Sequence, residues 1–270
     1  MTGQLAGRIA VITGGTQGLG EATARLLAER GAEGIVITGR DAERGRKVAG
    51  DLEAMGAAAL FVRAELADTA QVRTIMAEAD RRFGRVDCLV NAAAITDRGS
   101  ILDTDPELFD RMMAVNVRAP FFLIQGAARI MRREGRPGAI VNILSMSSHG
   151  GQSFLAAYST SKGALGVLTR NAAYALMRDR IRVNGLNIGW MDTPGEHGIQ
   201  KRAHDAPANW LAKAEAGMPF GRLLKPGEVA RAIAFLASDE SGMMTGSLVD
   251  FDQSVLGGGD PPRPAERLEG

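Results

Sequence analysis

A phenol, an ammonium and a hydroxyl stand close together in this sequence: Tyr158 and Lys162 are four residues apart, and Ser145 lies thirteen residues before the tyrosine. Together they are three of the groups needed to move a proton during hydride transfer. Tyrosine by itself is a poor base, with an ordinary pKa of about 10, and a nearby cation stabilises the phenolate and draws that value toward working pH. Residues four apart on a helix share a face. The segment 159–176, with Ala164, Leu165, Leu168, Ala172, Ala175 and Leu176, reads as an apolar-faced helix, so Tyr158 and Lys162 are predicted to point into one space. Taken singly each has a plainer reading, the tyrosine as a packing residue and Ser145 as part of a Ser-rich turn.

The elements that must position these groups alternate along the chain. Short β-rich runs at 9–12, 35–38, 60–62, 86–90, 139–144, 182–187 and 247–251 are separated by helical patterns. The helices are expected at 20–30, 42–55, from Asp68 to about Phe83, from Pro106 toward Met131, at the Tyr158 segment, and at 227–238. Gln71, three residues after Asp68, suggests a capping box, and Gly56 a helix stop. Strict alternation implies parallel strands joined by crossovers, and hence a doubly wound, Rossmann-like α/β fold with helices on both faces of a mostly parallel sheet. A single domain is expected over 1–256. Residues 193–220, rich in Gly, Pro, Ala and His with weak periodicity, read as an irregular substrate lid. Residues 257–270, with Pro261, Pro262 and Pro264, read as a tail.

Bulk properties narrow the function classes. With 32 basic and 31 acidic residues the net charge is +1, which leaves no basic footprint for nucleic acid. Cys88 is the lone cysteine, so no intramolecular disulfide or Cys-paired zinc site is expected, and three histidines without an i,i+4 pair argue against any metal site. No apolar run is long enough for a bilayer, and the amino terminus has no charged-then-apolar leader, so no membrane association and a cytoplasmic location are expected.

The turn Thr13-Gly14-Gly15-Thr16-Gln17-Gly18-Leu19-Gly20 lies between the first strand and first helix, where glycines let a backbone approach phosphates and a helix start offers free N–H groups. This Thr-Gly-x-x-x-Gly-x-Gly spacing, Tyr158-x-x-x-Lys162, Ser145 after a strand and Asn116 within a long helix together resemble the short-chain dehydrogenase/reductase family. Asn91-Ala92-Ala93, Asn184, Thr193-Pro194 and Thr245-Gly246 extend the resemblance from Gly7 to about Asp252.

The resemblance implies a catalytic set of Tyr158, Lys162, Ser145 and Asn116. Lys162 would lower the tyrosine pKa and bind the nicotinamide ribose; Ser145 would hold the substrate oxygen; Asn116 would pass protons through water. It also implies a dinucleotide site in which Gly14, Thr16, Gln17, Gly18, Leu19 and Gly20 meet the pyrophosphate. Glu65 with Leu66 would meet the adenine, Asn91, Ala92 and Ala93 the adenosine ribose, and Ile188 and Thr193 the carboxamide. At the end of the second strand, the position where a carboxylate would select NAD is Gly39, followed by Arg40, which favours NADP. NAD remains the alternative, because Asp41 could reach the ribose instead of capping the next helix. The sequence departs from the family pattern at Ala94, at Ile188-Gly189 and at Asp252-Gln253-Ser254.

The expected activity is hydride transfer between a nicotinamide and a secondary alcohol or ketone, of sugar, polyol or 3-oxoacyl type. Met146, Phe154, Trp190, Met191, Trp210 and Met218 could line an apolar pocket, and His149, Gln152 and His197 offer polar contacts. The alternative class is a dinucleotide-binding sensor or scaffold without turnover, for which loss of Tyr or Lys would be expected. A sugar dehydratase or epimerase would have a shorter glycine spacing and a longer carboxyl-terminal part. The resemblance further implies a homotetramer paired through the long helices.

Overall fold

Seven strands form one all-parallel sheet in the computed structural model, which describes residues 4–150 and 152–258. They are β1 (Ile9–Thr13), β2 (Gly34–Gly39), β3 (Ala58–Arg63), β4 (Cys88–Asn91), β5 (Gly138–Ser145), β6 (Ile181–Ile188) and β7 (Leu248–Phe251), in the order 3-2-1-4-5-6-7. The crossovers carry α1 (Gly18–Glu29), α2 (Ala42–Ala54), α3 (Thr69–Phe83), α4 (Pro106–Met113), α5 (Ala119–Arg133), α6 (Ala156–Leu176), α7 (Pro194–His204), α8 (Trp210–Ala216) and α9 (Pro226–Ala237). This is the expected doubly wound α/β domain.

β1 is apolar from Ile9 through Ile12 because both of its faces are covered, as parallel sheets require. Ala10 and Ile12 pack with Leu27 of α1, Leu52 of α2 and Ile233 of α9, while Val11 between them turns to Ile75 of α3 and Leu123 of α5. Strand order reverses between β1 and β4, and in such sheets the crevice opens at the carboxyl ends of the strands flanking that reversal. The ends of β1, β2, β4 and β5 there are Thr13, Gly39, Asn91 and Ser145.

Several local expectations are revised. The helix from Pro106 toward Met131 is two helices joined by a π-helical turn at Ala114–Arg118. Pro120 supplies the cause, since it has no N–H to give the carbonyl of Asn116 four residues earlier. Gln71 does not complete a capping box: Asp68 caps α3 through Ala70 and Gln71 N–H groups, but the Gln71 amide oxygen accepts from the Glu65 N–H. Residues 193–220 are not irregular, for α7 and α8 occupy most of them. Their periodicity is weak because α7 buries only Ile199 and α8 buries no residue fully. Of the tail 257–270, residues 259–270 lie outside the described residues.

Among the described residues no helix is long and apolar enough to cross a membrane, and no cluster of His, Cys, Asp and Glu could hold a metal.

Candidate active site

A cleft of about 1370 Å³ runs across the carboxyl edge of the sheet, from Arg40 just after β2 to Ser145, Tyr158, Glu196 and Met218. At its centre lies the glycine turn. Gly14 and Gly18 have φ of +66° and +57°, a region closed to most side chains, and a Cβ on Gly20 would lie 2.2 Å from the Gly14 carbonyl oxygen. Gln17 precedes α1 without capping it, because its amide oxygen instead accepts from the guanidinium of Arg44. The first N–H groups of α1 are thus left without a side-chain acceptor at a close-approach backbone, the donor set a pyrophosphate requires. A nicotinamide dinucleotide fits these residues.

At the β2 end of the cleft, Arg40 is exposed, with its guanidinium 3.9 Å from the Glu65 carboxylate. Asp41 is committed to capping α2, accepting from the Glu43 and Arg44 N–H groups and from the Arg44 side chain, all of which hold its carboxyl below the usual range. Arg44 is a second cation lining the same end.

Of the expected cofactor residues, Gly14, Thr16, Gln17, Gly18, Leu19, Gly20, Arg40, Glu65, Leu66, Ala92, Ala93, Tyr158, Lys162, Ile188 and Thr193 all line this cleft. Thr193 caps α7, accepting from the Glu196 N–H, and its side chain is the nearest neighbour of a Cβ built on Gly18, at 3.6 Å. It therefore abuts the glycine turn. Asn91 does not face the cleft: it is buried and donates to Asn142, which donates to Thr169 on α6.

Ser145, at the end of β5, and Tyr158 and Lys162, one turn apart on α6, meet at the other end. The Lys162 ammonium is 3% exposed, lies 5.7 Å from the Tyr158 ring centroid, and donates to the Ile143 carbonyl at 2.7 Å. Burial lowers its pKa to about 8, so it is still mainly cationic at neutral pH. The Tyr158 phenol is pushed up to about 12 by desolvation, partly offset by the Ser145 hydroxyl and by the charge of Arg98.

Asn116 sits on the π-helical turn and its side chain is fully engaged. It pairs both ways with the backbone of Ile95 at 3.0 Å and donates to Ser161 on α6. It therefore clamps the loop after β4 to α4 and α6, and its side chain does not reach the cleft. That loop is tied again at Gly99, which bridges Leu155 in parallel register, donates to Phe154 and accepts from Ala156 at the start of α6.

Beyond the phenol the chamber is more polar than the sequence suggested. Arg98, 17% exposed at its side chain, donates to Thr96 O and to His204 and lies over the Phe154 ring. Glu196 of α7, 14% exposed, faces it at 3.5 Å and accepts from Trp190 and Gln200. His197 on α7 is engaged with Asp192 and with Trp210 of α8, while His149 pairs with Asp250. Arg98 and Glu196 carry no sequence signal, because each is one charge among many and their pairing joins segments 98 residues apart.

The profile of the protein family described as Enoyl-(Acyl carrier protein) reductase matches residues 14–254. The cis-4-hydroxycyclohexanecarboxylate dehydrogenase of Sinomonas cyclohexanicum is 38% identical over 246 residues, covering 91% of this chain and 95% of that protein. The galactitol 2-dehydrogenase of Agrobacterium fabrum is 31% identical, covering 92% and 97%. A crystal structure of a gluconate 5-dehydrogenase from Burkholderia cenocepacia, in complex with NADP and tartrate, superposes with a TM-score of 0.84 at 33% identity, covering 94% of this chain and 97% of that one.

Proposed function

The chain belongs to the short-chain dehydrogenase/reductase family, as an oxidoreductase acting on CH–OH groups or the corresponding ketones with NAD(P), and from that premise we propose the residues, cofactor preference and substrate type of its reaction. The observation that carries the proposal is the convergence of Ser145, Tyr158 and Lys162 at one end of a cleft whose other end holds Arg40 and Arg44.

Bound nicotinamide supplies or accepts the hydride. The Tyr158 phenol exchanges the proton at the substrate oxygen, which the Ser145 hydroxyl holds beside it. Burial raises its pKa to about 12, which keeps the phenol protonated when reduction calls for a donor, and oxidation requires positive charge close by to make it an acceptor. In this reading Lys162 provides such a charge and also holds the cofactor ribose, and its bond to the Ile143 carbonyl supports that role by fixing the ammonium. The carbonyl of Asn116, left without an α-helical partner by Pro120, is available to a water on the proton path, and this assigns the Asn116 role to its backbone.

NADP is the preferred cofactor in this reading. Asp41 is occupied as a cap and leaves Arg40 and Arg44 as the side chains able to meet a 2′-phosphate. Residues 193–220 act as the lid over a substrate of sugar, polyol or 3-oxoacyl type. Exposed Phe121 on α5 and Val167 and Tyr174, seven residues apart on α6, support pairing of the long helices in a homotetramer, which sedimentation at micromolar concentration tests.

Nicotinamide absorbance, followed with NADP and with NAD over a panel of alcohols, polyols and ketones, tests the reaction. Turnover is expected with NADP preferred, and Tyr158→Phe should lower kcat by about 10²- to 10⁴-fold. Equal or better use of NAD would overturn the roles of Arg40 and Arg44, and cofactor binding without any turnover would favour a sensor.

A further inference from the structure

A half-buried charge pair that the reaction itself does not need lines the chamber beside Tyr158. Arg98 stands on the loop after β4 and Glu196 in the first turn of α7, and both line the same chamber as Tyr158. Their charges act on the phenol in opposite directions, which places both near the reacting end. Arg98 is held from three sides, by Thr96 O, the His204 ring and the Phe154 face. Glu196 is held by the Trp190 and Gln200 N–H groups at 2.9 and 2.7 Å. Yet the two meet at only 3.5 Å, longer than the roughly 2.7–2.9 Å of a charge-assisted hydrogen bond. Both side chains are fixed in place with their mutual bond incomplete.

We propose that Arg98 and Glu196 determine specificity by gripping a hydroxyl of a polyhydroxylated substrate, a sugar alcohol or related polyol, away from the carbon that is oxidised or reduced. This rests on the oxidoreductase reading given above. A hydroxyl can accept from the Arg98 guanidinium while donating to the Glu196 carboxylate. A thioester or ketone oxygen only accepts, and it would leave Glu196 unanswered. A carboxylate would satisfy Arg98 but stand against Glu196 as a like charge, and a methylene would leave both charges desolvated and unbridged. The Trp190 ring, which also lines the chamber, offers an apolar face to the carbon skeleton between hydroxyls.

The test compares kcat/KM of the full chain for galactitol, mannitol and sorbitol with that for hexan-2-ol and for cis-4-hydroxycyclohexanecarboxylate, then repeats the series in Glu196→Gln and Arg98→Met. At least one hexitol should exceed hexan-2-ol by about 10- to 100-fold, as expected for a substrate group bonded to charged partners. In Glu196→Gln this ratio should fall at least tenfold, mostly through KM. A wild-type preference for hexan-2-ol or for the hydroxy acid over every hexitol overturns the polyol assignment and leaves the oxidoreductase reading standing. An equal fall for both substrate types in Glu196→Gln overturns it too, by making the pair a mere lid fastening. Failure of every class to turn over overturns both readings together.

Discussion

The two ends of the cleft are built on different principles. At the dinucleotide end the work is done by backbone: glycines at positive φ, a Cβ-free crossing at Gly20, and the uncapped start of α1. At the end under α7 it is done by side chains from different segments, with Arg98, Glu196, Trp190, Gln200 and His204 holding one another through hydrogen bonds. The first kind of site tolerates almost no change in shape but makes few demands on chemistry. The second can be re-specified one side chain at a time, which suits a fold that keeps one reaction and varies its substrate.

Glycine substitutions test this contrast most severely. Gly20→Ala should destabilise the chain by about 1–3 kcal/mol, because the new methyl meets the Gly14 backbone with no flexible neighbour to yield. It should also abolish measurable cofactor binding. Gly195→Ala in the lid, whose nearest neighbour is the Thr193 hydroxyl at 3.8 Å, should shift stability by less than about 0.5 kcal/mol. Urea denaturation and cofactor fluorescence check both, and equal losses would break the comparison.

A smaller effect is expected where side chains do enter the dinucleotide end. Arg40→Ala and Arg44→Ala should each lower kcat/KM with NADP by about 10-fold and leave NAD nearly unaffected. Loss with both cofactors alike would mean that Arg44 serves only to place Gln17.

The last measurement sharpens the junction between the ends. Burial holds Lys162 at a pKa of about 8 against its ordinary 10.5, so between these values the unfolded chain binds more protons than the folded one. Stability should therefore rise with pH from about 8 to about 10.5 in the cofactor-free protein. Lys162→Met should lack that rise when both are unfolded in urea across this range; identical pH profiles would show that the ammonium is not desolvated.

The same contrast explains what was legible in the sequence. The parallel sheet and the placement of most strands and helices followed from apolar periodicity and alternation, because strands such as β1 are covered on both sides and leave a continuous signal. The glycine turn and the Tyr158–Lys162 pair were legible because one turn of backbone sets their geometry. The break at Ala114–Arg118 was written in Pro120, yet apolar positions on either side mask it. α7 and α8 were missed because helices that bury little leave little pattern. Arg44, Arg98 and Glu196 were missed for a different reason: a charge acquires meaning only from its partner, and their partners come from other segments. Asn91 and Asn116 lay in the expected elements, but their side chains hold the framework together behind the cleft.

The tie at Gly99 has a consequence for regiochemistry. By joining the Arg98 loop to the first turn of α6, it fixes the backbone that carries the guanidinium to the helix that carries the phenol, so that the span between the two acts as a ruler. A polyol presents several carbons of nearly equal reactivity, and such a ruler selects among them by distance along the chain. Lengthening the loop by one residue should then move oxidation from one carbon to its neighbour, a change visible in the identity of the product even where the rate is preserved.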